Sequence, residues 1–400
     1  MTTSSPRRRT PAPVGSQGVV EAGRLRPAWA EVDLDAVRHN ASVLAELVAP
    51  AAVCAVVKAG GYGHGAVPVA LAALEGGATH LAVALVEEGR QLRDAGIVAP
   101  ILLLSQPPPA AMTEVVAGGL TPSLYTDEGV DSLRAALRAA RRRGRLPVHV
   151  KVDTGMHRVG ATPRDAVALA RRIAASPELE LEGLFTHLAV ADEVDDPYTD
   201  AQIDRFDAVV AELAAAGVRP PLLHAANSAG ALFHPRARYD LVRCGIALYG
   251  LSPAAETREH RDVARLRPAL ALKARVSHVK ELDAGERLSY GRRYRLAERS
   301  VIATIPLGYA DGVTRSLAAT GGVVLIGGRR CPLGGTVTMD QLLVDCGPGA
   351  AVAVGDEAVL IGRQGDEQLD AWEWALRTGT IAYEVVCGVG VRVPRSYGRI

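Results

Sequence analysis

The chain reads as an α/β protein, with an N-terminal (β/α)8 TIM-like barrel followed by a mostly β C-terminal domain. Three observations predict this. Its 400 residues exceed one ordinary domain and leave room for a barrel plus a smaller partner. From Trp29 to about Gly250, short apolar runs near Val53, Leu81, Ile101, Leu120, Val148, Leu184, Leu222 and Leu241 alternate with Ala/Arg/Glu-rich segments of helical period. Parallel strands need such helical crossovers, and eight alternations close a barrel. Past about Pro253 the period changes to two: Leu270, Leu272, Ala274 and Val276 alternate with Lys273, Arg275 and Ser277. An open doubly wound sheet is the competitor. It requires a glycine-rich dinucleotide turn after the first strand, and the GYGHG stretch at Gly61 to Gly65 has neither that spacing nor the later ribose-binding acid.

The predicted organisation is a disordered tail over residues 1–24, a barrel over 25–253 and a β domain over 254–400. The tail carries Arg7, Arg8 and Arg9 without a hydrophobic signal core. Further C-terminal strands are expected around Val301 to Leu307, Val323 to Ile326, Leu342 to Val344 and Ala358 to Ile361. A helix is expected near Leu369 to Arg377, with a closing strand around Val391 to Pro394.

Net charge is near zero and aromatic content is low, which argues against a nucleic-acid partner. No apolar run reaches the length of a membrane span, so a cytoplasmic small-molecule enzyme is the expectation. Cys54, Cys244, Cys331, Cys346 and Cys387 are scattered, with neither CxxC pairs nor a histidine cluster. They read as reduced core thiols, and no metal site is expected.

The run VVKAGGYGHG, Val56 to Gly65, sets Lys58 where a buried strand ends and a glycine loop begins. Desolvation there disfavours the ammonium and frees a nucleophilic amine. Tyr62 adds a hydroxyl, and the glycines permit close approach of a ligand. The plain alternative is a snorkelling lysine beside an ordinary turn. Barrel sites lie at the C-terminal rim, and polar residues follow the later predicted strands: Lys151, Asp153 and Arg158 in KVDTGMHRVG, His187 in THLAVAD, Asn227 and Ser228 in HAANSAG, and Arg243 in VRCGIALYG. Singly, each has an ordinary explanation as a core histidine, a barrel ion pair or a helix cap.

Together with SYG at Ser289, GYADG at Gly308, TMDQ at Thr338 and YEVVC at Tyr383, these motifs resemble the alanine racemases, fold-type III pyridoxal phosphate (PLP) enzymes. The family usually has Asn and Ala where this chain has Gly60 and Gly61, and often Cys at Thr338. The resemblance implies PLP joined to Lys58 and a phosphate cradle of Tyr62, Ser228, Tyr383 and the amides of Ser228, Gly245 and Ile246. Amides and hydroxyls at strand and helix ends suit a dianion. His187 and Asn227 join this set as cofactor-binding candidates. Arg243 would face the pyridine nitrogen and, having no acceptor, leave it unprotonated. Arg158 would lie near the cofactor's 3-oxygen and the substrate carboxylate, and Lys151 would be a lysine that is carbamylated in many relatives, or an amine paired with Asp153.

Inversion at Cα needs a base on each face. The resemblance assigns these roles to Lys58 and to Tyr290 of a second subunit, with Met339 also from that subunit and Tyr309 narrowing the entrance. Bringing a phenol from ~10 toward ~7 represents about 4 kcal/mol of phenolate stabilisation, for which His187 backed by Arg243 is the candidate source. The implied protein is a homodimeric racemase of alanine supplying D-alanine for cell-wall precursors. Open alternatives are a racemase of other or broader amino-acid specificity, a PLP decarboxylase of the same plan, and a non-catalytic PLP-binding protein.

Overall fold

The computed structural model describes residues 25–398. The predicted tail, residues 1–24, lies outside the described residues. Eight parallel strands form one sheet: β2 (Ala52–Val56), β3 (His80–Val83), β4 (Ile101–Leu103), β5 (Thr121–Leu124), β6 (Leu146–Lys151), β7 (Leu179–Phe185), β8 (Leu222–His224) and β9 (Leu241–Cys244). Their order, β8-β7-β6-β5-β4-β3-β2-β9, is that of a barrel opened only between β8 and β9. Backbone bonds cross that seam, from Asp240 N–H to the Leu223 carbonyl and from Arg243 N–H to the Ala226 carbonyl, each 3.0 Å. Seven of these strands coincide with the predicted apolar runs, and β5 begins one residue after Leu120.

The crossover helices begin where the sequence supplies caps. Thr126 accepts from Gly129 N–H ahead of Asp127–Ala139, and Thr162 accepts from Asp165 N–H ahead of Pro163–Ala174, with Pro at the first helical position. Leucine, valine and alanine from strands and helices pack as one continuous core.

The β domain contains a larger sheet ordered Arg329–Pro332, Val323–Ile326, Glu357–Gln364, β10 (Leu270–Arg275), β1 (Ala28–Asp33) and Arg395–Gly398. Beside it stands a three-stranded sheet of His278–Leu282, Ser300–Ile305 and Leu342–Asp345. Two details differ from expectation. The strand at Trp29, grouped with the barrel by sequence position, pairs antiparallel with β10 and parallel with Arg395–Gly398. Its partners are remote in sequence, so no local pattern announces them. The closing strand lies at Arg395–Gly398 rather than Val391 to Pro394. Pro394 has no N–H and enters the edge only by accepting from Ala30 N–H at 2.9 Å, so regular pairing starts after it.

Candidate active site

Lys58 stands immediately past β2, and the residues after it form one turn of left-handed backbone: Ala59 (φ 53°), Gly60 (62°), Gly61 (64°) and Tyr62 (50°). Left-handed conformation costs L-residues roughly 1–2 kcal/mol each and glycine almost nothing, so the two central glycines make the turn accessible. Glu88 anchors its start, accepting from Ala59 N–H at 2.6 Å and from Ala84 N–H at 2.9 Å. The turn carries Tyr62 back over the barrel, against the start of the segment after β9. A Cβ on Gly245 would meet the Tyr62 hydroxyl at 2.4 Å, so this approach requires glycine.

One cavity of about 490 Å³ opens at the C-terminal ends of the barrel strands. Lys58, Tyr62, Arg158, His187, Asn227, Ser228, Arg243, Gly245, Ile246 and Tyr383 all line it, as do Lys151, Phe185, Glu384 and Cys387. Cys387, expected in the core, is exposed at the rim. Four basic groups, Lys58, Lys151, Arg158 and Arg243, therefore share a space whose lining holds one carboxylate, Glu384. Burial, aided by Arg158, lowers the pKa of Lys58. Lys151 is pushed down to about 8, first by burial and then by Arg243, Arg158 and Lys58. Asp153 does not form a salt bridge with Lys151. Its carboxylate accepts from the Gly155 and His157 amides at 2.9 and 3.0 Å, folding its own loop. The Lys151 ammonium instead lies 5.4 Å from the centre of the Phe185 ring.

Also on the lining, Asn227 caps a short helix by accepting from Gly230 N–H at 2.9 Å, and Ser228 Oγ accepts from the amides of Gly245 at 2.9 Å and Ala247 at 3.3 Å. The Tyr62 and Tyr383 rings stand 6.3 Å apart. The hydroxyls of Tyr62, Ser228 and Tyr383 and the Gly245 backbone thus stand together on one part of the lining.

Arg243 is buried with neutral partners: the carbonyls of Thr186 and Ala225 at 2.9 and 3.0 Å, His187 Nδ1 at 3.3 Å and His224 Nδ1 at 2.8 Å. His224 Nε2 meets His149 Nδ1 at 2.8 Å, and His149 Nε2 meets Glu182 at 3.0 Å. Arginine has no acceptor, so His224 Nδ1 must be bare and its proton must sit on Nε2. The same logic leaves the His149 proton on Nε2, directed at the carboxylate. Burial, followed by the nearby Arg243 charge, holds His187 and His224 well below the ordinary imidazole pKa.

His149, His224, Glu182 and Glu88 were not identified from the sequence. A signal existed for one of them: His149 precedes Lys151 by two residues on a strand, so both point to one face. A shift in register at His149 and the absence of a side chain at Gly183 make room for its ring.

Tyr290, Tyr309 and Met339 do not line this cavity in the single chain. They are 73%, 43% and 51% exposed on the β domain. Their segments are tied together, since Thr336 Oγ1 donates to the Tyr290 carbonyl at 3.0 Å and the amides of Tyr309 and Ala310 donate to the carbonyls of Thr338 and Met339 at 3.0 and 3.1 Å. Among the described residues no cluster of three or more His, Cys, Asp or Glu is placed to hold a metal ion, and no helix is long and apolar enough to cross a membrane.

Fold and cavity together define a two-domain α/β-barrel enzyme with a partly desolvated amine and an anion-receptive pocket at the barrel mouth. Residues 32–253 match the family model for the alanine racemase N-terminal domain, and residues 269–397 match that for the C-terminal domain. An alanine racemase of Symbiobacterium thermophilum is 52% identical over 375 residues, covering 94% of this chain and 98% of the relative. One from Thermobifida fusca is 46% identical over 374 residues, covering 92% and 98%. The crystal structure of alanine racemase from E. faecalis superposes with a TM-score of 0.87 at 39% identity, covering 94% of this chain and 99% of that one. That from Bacillus anthracis with bound L-Ala-P gives 0.86 at 40%, covering 94% and 96%. The chain belongs to the alanine racemase family of isomerases.

Proposed function

We propose that this chain, as a cytoplasmic homodimer, interconverts L-alanine and D-alanine with PLP held in the barrel mouth and two bases on opposite faces of the substrate. The observation that carries the proposal is the shared cavity: four basic groups and one carboxylate line it together with the Tyr62, Ser228 and Tyr383 hydroxyls and the Gly245–Ile246 backbone. That donor set fits a ligand with a dianionic phosphate, and it leaves cations for a substrate carboxylate. Tyr62, Ser228, Tyr383 and the amides near Ser228, Gly245 and Ile246 would hold the phosphate, with Asn227 capping the helix behind them. Arg243 would donate to the ring nitrogen, and Lys58 would carry the group covalently. Bound there, PLP supplies an electron sink for the pair left at Cα when its proton is removed.

The chain's own residues supply the rest. Lys58 moves the Cα proton on the D side, its lowered pKa keeping a larger fraction of free amine. Tyr290 of a second copy serves the L side. Its exposure, shared with Tyr309 and Met339 on one tied surface, suits a residue donated across a subunit interface. Met339 of the same copy would lie at the substrate carboxylate beside Arg158, and Tyr309 would narrow the entrance to small side chains. His187 donates its Nε2 proton toward that space, with Arg243 behind it, favouring phenolate on Tyr290. Lys151 would carry a carbamate, converting one of four crowded cations into an anion beside Arg158. D-alanine made in this way supplies cell-wall precursors.

The test pairs two variants. Lys58→Ala should lose the visible band of the covalently held cofactor. Tyr290→Phe should slow deuterium exchange at Cα of L-alanine far more than at Cα of D-alanine. Wild-type exchange from L-alanine in that second variant ends the assignment of bases.

A further inference from the structure

Cys331 and Cys346 lie in the β domain, outside the cavity, and neither is used by the chemistry above. Leu333 and Val344 form an antiparallel bridge, and Gly334 N–H donates to the Leu343 carbonyl at 2.8 Å. Continuing that register by two residues sets Cys331 opposite Cys346. Side chains two apart on a strand share a face. Cys331 therefore points with Leu333, and Cys346 with Val344, into one buried layer where these four are at most 4% exposed. The bonded neighbours place them at a non-hydrogen-bonded position, where facing Cα atoms lie about 4.5 Å apart. That separation falls inside the roughly 4.4–6.8 Å span of natural disulfides.

We propose that Cys331 and Cys346 are an oxidation site, a dithiol that closes an intrachain disulfide when the protein meets a peroxide. One thiolate attacks the peroxide, the O–O bond breaks, and a sulfenic acid and water result once the hydroxide takes up a proton. The second thiol then displaces the sulfenic hydroxyl as water and the S–S bond forms. Two thiols are oxidised and one peroxide is reduced to two waters. Hydrogen peroxide, the smallest peroxide, is the oxidant suited to thiols that are only 3–4% exposed.

The thiols are unequal, which suits an attacking and a resolving pair. Cys331 Sγ donates to the Arg329 carbonyl at 3.7 Å and Cys346 Sγ to the Val344 carbonyl at 3.9 Å, and the interaction of the two neighbouring thiols lowers the pKa of Cys331 while raising that of Cys346. Cys54 and Cys244 offer an internal contrast. They are also buried, but Cys54 pairs with Arg243 and Cys244 with Ala55, so they are one residue out of register and point to opposite faces.

The disulfide would enclose residues 332–345, the segment that presents Met339 and holds the Tyr309 turn through Thr338 and Met339. Closing a loop of this length restrains the unfolded chain.

The full-length protein is treated with hydrogen peroxide, alkylated and digested with trypsin. No Lys or Arg lies between Cys331 and Arg363, so both thiols fall in one peptide. That peptide should be lighter by two hydrogens and should take up no alkyl groups, and a dithiol reductant should reverse both changes. Peroxide should also raise the thermal unfolding midpoint by on the order of 5 °C in the wild type. Cys346→Ser and Cys331→Ala should show no rise. Two alkylated cysteines in the wild-type peptide after treatment, or a disulfide joining either to a different cysteine, would overturn the proposal. The wild-type measurement decides it even where a variant folds poorly.

Discussion

Arg243 and Glu182 are joined through the barrel interior by an unbroken series of hydrogen bonds, Arg243 to His224 at 2.8 Å, His224 to His149 at 2.8 Å and His149 to Glu182 at 3.0 Å, each with its donor on the arginine side. Among the described residues Arg243 has no carboxylate as a hydrogen-bond partner, and Glu182 is the anion at the far end of the series. Hydrogen bonds in a low-dielectric interior polarise one another, which makes the far end matter to the near one.

Glu182→Gln keeps an acceptor and removes the charge, whereas Glu182→Ala removes both. Turnover should fall about tenfold in the alanine variant and less in the glutamine variant, with KM nearly unchanged. Nitrogen NMR of histidine-labelled protein should show His224 and His149 bare at Nδ1 and protonated at Nε2. A charged imidazolium at either position, or unchanged turnover in both variants, contradicts the relay.

Lys151 couples stability to pH. Its folded pKa of about 8 lies below the unfolded value of 10.5. Between those limits the unfolded state binds more protons, so stability should rise with pH across that window, and below about 8 the penalty is complete and constant. In wild-type protein kept free of carbon dioxide, where the carbamate proposed for Lys151 is absent, urea midpoints from pH 7.5 to 10 should show this slope, and Lys151→Met should lose it. Added bicarbonate should also abolish it, because a carbamylated amine has no ammonium to lose, and carbon-13 bicarbonate should give a carbamate signal that Lys151→Met lacks.

Gly60 and Gly61 differ in what surrounds them. A Cβ at Gly60 meets nothing within 4 Å, while one at Gly61 meets the Ala66 backbone at 3.2 Å. Gly60→Ala should cost about 1 kcal/mol from its left-handed backbone alone. Gly61→Ala should cost more and should also lower turnover, because a displaced turn moves Lys58. Equal unfolding midpoints for the two would refute this.

Arg26 bonds both oxygens of buried Asp311 at 2.6 Å, and Asp311 in turn accepts from Gly308 N–H at the start of the Tyr309 turn. Although burial works to raise it, the Asp311 pKa is held down by Arg26. Arg26→Ala leaves the buried carboxylate with only the Gly308 amide and the longer Arg392 contact at 3.4 Å, and should cost about 2 kcal/mol. This contribution is present above the unfolded carboxylate pKa of 3.8 and is lost as pH falls through the lower folded value, so the variant and wild type should converge in acid. Denaturant unfolding at pH 7 and pH 3 measures the convergence.

Barrel strands were legible because each is a short apolar run bounded by helical period, and both patterns are local. The cavity residues were legible because they follow strand ends, where a parallel barrel collects its loops. The Glu182 relay was not, since His149 and His224 stand on strands that become neighbours of one another only through β7, and an isolated histidine carries no sign of what it faces. Glu88 was hidden for the same reason: its carboxylate folds back from a helix to hold Ala59, 29 residues earlier.

What the amino-acid order determined by itself is the barrel and β-domain plan, the lysine at a strand tip and the set of polar groups beyond the strands. All of these rest on periodicities and motifs spanning a few residues. Only the tertiary structure decided that Ala28–Asp33 belongs to the far sheet, that four cations crowd one cavity, and that Tyr290 stands exposed outside it. Those outcomes depend on closing long stretches of chain, and the free energy of that closure comes from packing many remote side chains at once, which no window of sequence contains.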